Sequence, residues 1–223
     1  MDISIRARAG YRWWLVLTLV IAIYLIINLV FPLVPIEGTI KSYVFQPILW
    51  GLLIWAVLMV FPGYKPVAKP RVRTSLIQLA IGIAIFQIML LVIGGLFSGF
   101  GKSPYSFTPL GIITNLFFVG SMLVGMELSR AWLINHSGRY HTFLALAFIS
   151  LLYTLLGIPL TQLTGMGMTM TTVSFLNETC LPLLAENLLA SFLALLAGPV
   201  ASIAYRGTLQ AFWRLPVQLT GQG

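Results

Sequence analysis

Six predominantly apolar stretches of about twenty residues or more, joined by short polar segments, restrict this chain to one kind of solvent. They run over 13–34, 43–61, 75–97, 109–135, 142–163 and 181–205. Each is long enough for a helix to cross bilayer hydrocarbon, where every backbone N–H and C=O must be satisfied within the segment. Of the 223 residues, 59% are hydrophobic and 8% charged, against about 25% charged in a soluble domain. Such a chain cannot coat a water-facing surface. The sequence predicts a single integral membrane domain over residues 1–223: an all-α polytopic transmembrane bundle of six spans.

The basic residues lie between the apolar runs, so the net charge of +8 orients the chain rather than binding nucleic acid. One set of joints holds eleven of the thirteen cations: Arg6, Arg8, Arg12, Lys65, Lys69, Arg71, Arg73, Arg130, Arg139, Arg206 and Arg214. The other set holds Lys41 and Lys102. Under the positive-inside rule this split predicts both termini in the cytoplasm. Trp13, Trp14, Tyr64, Trp132 and Tyr205 then fall near the cytoplasmic interface. The first run is too long for a cleaved signal peptide and reads as an uncleaved anchor. Short loops and strong charge bias favour a plasma (inner) membrane, with lipid as the main partner. Residues 165–178 read as a loop on the membrane face, and the tail from Thr208 as a short interfacial segment.

Ionisable groups inside hydrocarbon are costly and mark positions with a purpose. Glu127 and Arg130 stand three residues apart in the fourth run, on one face of a helix. Two readings stand: a self-neutralising pair at the membrane edge with Arg130 snorkelling, or a polar cluster inside the bundle that includes Arg206. Glu186 has no nearby cation on its own helix, and it shares a depth with Asn187 and with Asn115 of the fourth run. That depth predicts a polar contact between the two helices, serving packing or ligand binding. Gln78 and Gln87 read as interhelical hydrogen-bonders, and the small residues of the fourth and sixth runs as packing surface.

No cofactor is expected. Met166, Met168 and Met170 place three thioethers at alternate positions near Cys180, a weak Cu(I) pattern, since methionine is also ordinary apolar filler. The single cysteine excludes an internal disulfide. His136 and His141 flank Arg139 in a joint and read as solvated rather than ligating. A phosphate loop, a zinc His-Glu-x-x-His motif and a nucleophile elbow are missing. Glu127-x-x-Arg130 is a partial likeness to the CAAX-processing type of intramembrane protease, whose motif opens with adjacent glutamates.

Four segments carry a resemblance: Ser103-Pro104-Tyr105, Thr108-Pro109-Leu110-Gly111-Ile112, Gly125-Met126-Glu127-Leu128-Ser129-Arg130-Ala131-Trp132-Leu133-Ile134-Asn135, and Leu183-Leu184-Ala185-Glu186-Asn187-Leu188-Leu189-Ala190-Ser191. Together they resemble the multi-span membrane region that precedes the peptidase domain in some bacterial signal peptidase I proteins of the endoplasmic-reticulum-like type. That family's catalytic serine segment and its basic partner have no counterpart in this sequence. The resemblance implies a non-catalytic membrane module tied to the processing of exported proteins, with a separate peptidase as partner. A second expectation is a small transporter or substrate-binding membrane subunit, with its polar site at Glu186, Asn187 and Asn115.

Overall fold

A computed structural model describes residues 3–60, 66–98, 109–137, 142–165 and 170–214. Among these residues the secondary structure is helical and no strand occurs. Helix α1 runs Ile3–Leu25 and continues through a π-helical turn, Ile26–Val30, into Phe31–Leu33. Helix α2 starts as Gly38–Ile40, widens into a π turn at Lys41–Phe45 and ends as Gln46–Val60. Helices α3 (Pro70–Ser98) and α4 (Pro109–His136) each begin on a proline, which has no N–H to leave unsatisfied in a first turn. Helix α5 covers Thr142–Leu156, and α6 is the short Leu160–Thr164. Helix α7 combines Met170–Phe175, a π turn at Leu176–Cys180 and Leu181–Ala197, and α8 is Pro199–Arg214.

The three π turns share a cause. Pro32, Pro47 and Pro182 each follow a π turn by two residues. A proline ring inside a helix collides with the carbonyl four residues back, which here belongs to Asn28, Tyr43 or Glu178, the middle residue of each turn. Widening the turn by one residue moves that carbonyl aside without breaking the helix.

Five helical segments are long and apolar enough to cross a membrane: Tyr11–Leu33, Gly38–Met59, Pro70–Phe97, Gly111–His136 and Thr172–Ala197. Thr142–Leu156 is apolar but shorter. The expected fifth run, 142–163, is not one helix, because Gly157-Ile158-Pro159 interrupts it before α6. The expected sixth run, 181–205, is also two helices. Gly198 stands between them at φ 98° and ψ −176°, a conformation open to glycine, and Pro199 starts α8 in a new direction. The expected loop over 165–178 is helical from Met170 onward, as the beginning of α7.

Contacts at helix ends fix the directions. The Trp13 indole at the start of α1 donates to Leu133 O (3.1 Å) near the end of α4. Farther along α1, Tyr24 donates to Ile158 O beyond α5 (2.8 Å), and Asn28 accepts from Leu160 N of α6 (3.0 Å). The segment before α3 meets the end of α7 through Val67 N to Leu195 O and Ala68 N to Leu196 O. Successive long helices therefore alternate in direction. Helix α8 then folds back: Arg206 reaches Glu127 of α4, and one residue later Gly207 lies beside Leu123, a turn nearer the start of α4.

Two apolar cores hold the bundle. One joins α1, α2, α4 and α5 through Val16, Val20, Leu53, Met126, Leu133 and Ile149. At its tightest point the Trp50 ring lies on Gly125, where an added Cβ would come within 3.0 Å of a ring carbon. The other core is a small-residue seam in which Ala80 and Ala84 of α3 meet Ala190, Ala194's neighbour Leu193, and Ala197 of α7, and Ala201 of α8. Small side chains let these three backbones approach closely.

Candidate functional site

The fourth helix supplies the anchor. Glu127 and Arg130 sit one turn apart on the face of α4 that looks toward α7 and α8, and both are wholly buried. The Arg130 Nε lies 3.2 Å from the Glu127 Oε2. Arg130 therefore does not snorkel to water. Its remaining N–H groups turn to α7: Nη1 donates to Asn187 O (2.9 Å) and Ser191 Oγ (3.2 Å), and Nη2 donates to Asn187 Oδ1 (2.6 Å).

Arg206 approaches from α8. Its Nη1 donates to the same Asn187 Oδ1 at 2.6 Å and stands 3.7 Å from Glu127 Oε1. One amide oxygen and one carboxylate thus receive both guanidinium groups. Asn187 uses its amide nitrogen as well, donating to Leu183 O (2.9 Å) within α7 and to Thr154 Oγ1 (3.3 Å) of α5. Tyr153 closes the site from α5. Its ring lies 4.4 Å under the Arg130 guanidinium, and its hydroxyl is 2.6 Å from Ser129 Oγ. A cation over an aromatic face is stabilised further when both are out of water.

Burying charge this deeply is tolerated only when partners replace the lost hydration. Glu127 alone balances one of the two arginines. The second carboxylate, Glu186, acts electrostatically on Arg206 from the next position along α7. Glu186 belongs to a neighbouring polar chain: Gln87 Nε2 of α3 donates to Glu186 Oε1 (3.0 Å), and Tyr205 OH of α8 donates to Gln87 Oε1 (2.7 Å). The two sets meet where Tyr205 and Arg206 follow each other on α8, so five helices contribute to one polar layer.

The structure brings together Glu127, Arg130, Asn187 and Arg206, with Glu186 alongside. Asn115 stands apart, accepting from Tyr43 OH of α2 (2.8 Å). The expected contact between Asn115 and Glu186 or Asn187 is absent, because equal depth does not place two residues on facing sides of their helices. Arg206 and Tyr205 are buried inside the bundle, because α8 folds back after Gly198. Ser129, Tyr153, Thr154 and Ser191 were not singled out from sequence. Ser191 had a signal, standing one turn after Asn187 on the same helix face.

Among the described residues no group of three His, Cys, Asp or Glu side chains is placed to hold a metal. Met166 and Met168 lie outside the described residues, and Met170 is the first residue of α7. His141 and Arg139 also lie outside them, whereas His136 stacks on Trp132 with ring centroids 4.1 Å apart. Comparison with protein-family models, with curated proteins and with solved structures finds no match to this chain.

Proposed function

We propose that this multi-pass membrane protein is a non-catalytic module that works beside a separate enzyme in the processing of exported proteins. The observation that carries the reading is the internal pairing of charge within the polar layer. Glu127 pairs its charge with Arg130 and Arg206 without a hydrogen bond to its carboxylate oxygens, both guanidinium groups donate to Asn187, and the adjoining hydroxyls of Ser129, Tyr153 and Thr154 are engaged as well. Such a layer holds helices in register instead of presenting a nucleophile with a base. It suits the resemblance to a membrane region that precedes a peptidase domain.

In this reading the bundle crosses a plasma membrane six times, through α1, α2, α3, α4, α5 and α7. The start of α1 and the joint before α3 lie in the cytoplasm, following the basic residues there. The short α5 is extended by the α6 segment. Helix α8 re-enters the bundle from the cytoplasmic side.

Pulse-chase labelling of exported precursors tests the function. Cells lacking this protein are expected to cleave a subset of precursors more slowly, and the protein alone is expected to rescue no cleavage when the resident signal peptidase is depleted. Unchanged precursor lifetimes, or cleavage by this chain alone, would overturn the proposal.

One observation favours a second reading as a transporter or substrate-binding subunit. Glu186 is only partly buried and is linked through Gln87 to Tyr205, which makes it more open to an incoming ligand than Glu127, the other acid of the polar layer. Uptake that falls in Glu186→Gln would support this alternative, and uptake unchanged across pH would remove it.

A further inference from the structure

Helix α3 carries two interhelical glutamines by sequence, and they meet different fates. Gln87 faces inward and bridges Glu186 and Tyr205. Gln78 is exposed, and among the described residues it has no hydrogen-bond partner. Nine residues separate the two, which at about 100° per residue places them on opposite sides of the helix. Gln78 therefore points straight away from α7 and α8.

The depth of Gln78 makes this exposure costly. The span Pro70–Phe97 has 28 residues, so it is about 42 Å long against about 30 Å of hydrocarbon. Gln78 stands five residues inside Arg73, below the water boundary. In lipid its amide donors and acceptor have nothing to bond. Around it lies a stripe suited to a second helix. Gly82, one turn on, is exposed and has nothing within 4 Å of an added Cβ. Ile85 and Met89 continue the same face and are 49% and 56% exposed. This helix is the least buried of the five spans.

We infer that this face of α3 is the interface of a homodimer, in which Gln78 of one copy bonds Gln78 of the other. Two copies of a membrane protein insert with the same orientation, so a residue on a two-fold contact meets its own counterpart at its own depth. An amide is self-complementary, donating and accepting at once, and so satisfies this constraint where a lysine or glutamate would repel itself. Gly82 lets the backbones approach closely enough for the amides to meet. Arg71 lies on the same face, seven residues earlier at the water boundary, where the two copies of it repel through solvent and salt.

The test uses the full chain in phosphatidylcholine vesicles, with Cys180→Ser as background and a single cysteine introduced by Ile85→Cys. Leu52→Cys, on the exposed side of α2, is the control. On oxidation, Ile85→Cys is expected to form covalent dimers about tenfold faster than Leu52→Cys. Adding Gln78→Leu is expected to lower that rate about tenfold, with Gln78→Asn restoring part of it and helicity and melting unchanged. Raising salt from low to moderate concentration should strengthen the dimer by screening Arg71. Equal cross-linking at 85 and 52, or indifference to Gln78→Leu, would overturn the inference. So would a cross-link from residue 85 in native membranes to a different protein with none between copies.

Discussion

Glu127 receives two arginines, and this decides what single substitutions do. Glu127→Ala leaves both guanidinium groups buried beside Asn187 without their carboxylate. It should cost about 3–5 kcal/mol of stability, the usual penalty for orphaning a buried charge. Combining it with Arg206→Leu should return part of that loss, because one of the stranded charges leaves with its partner. Reversible unfolding of the four variants in mixed micelles measures the coupling; strictly additive losses would contradict the shared geometry. The core of this site was legible in the sequence. Glu127 and Arg130 stand three apart, and helical geometry alone puts such residues side by side. The place of Arg206 was not legible, because a hydropathy profile runs through Gly198 without registering a reversal. Asn115 failed for another reason: depth along a helix can be counted from sequence, but the direction a side chain faces depends on how its neighbours pack.

Two glycines govern the helices. Gly125 sits under the Trp50 ring with no room for a larger side chain, so Gly125→Leu should destabilise the contact between α2 and α4 by about 1–3 kcal/mol, the common cost of overpacking. A melting temperature equal to the parent protein would refute that contact. Gly198 has a backbone conformation that other residues adopt at a cost of about 1–3 kcal/mol. Gly198→Ala should loosen α8 before any other helix. Hydrogen exchange read by mass spectrometry is expected to show faster exchange across Pro199–Arg214, with α4 less affected. The helix boundaries were partly written in prolines. Pro70, Pro109 and Pro199 open helices, and Pro32, Pro47 and Pro182 mark the π turns. A count of apolar residues misses these effects because proline and glycine act through the backbone rather than through hydrophobicity.

For the molecule as a whole, the return of α8 places a polar helix inside the bundle. From Arg206 beside Glu127, eight further residues reach Arg214, advancing about 12 Å toward the face opposite the start of α1. A cysteine introduced at Thr208 is therefore expected to resist a membrane-impermeant thiol reagent applied from either face. Labelling of that position from the cytoplasmic side would mean that α8 leaves the bundle in the lipid bilayer. The membrane class itself was plain from six apolar runs and few charges. The number of helices in the bundle was not, since α8 is too polar to register as a span and owes its place to Arg206 and the alanine seam.

That dependence also sets an order in time. The ribosome delivers Pro199–Arg214 after every other described helix, and the seat it occupies is built from α3, α4 and α7. Docking of this last segment is thus a completion step in biogenesis. Chains halted before Pro199 keep an open, alanine-lined cleft and leave Glu186 without the neighbouring guanidinium charge.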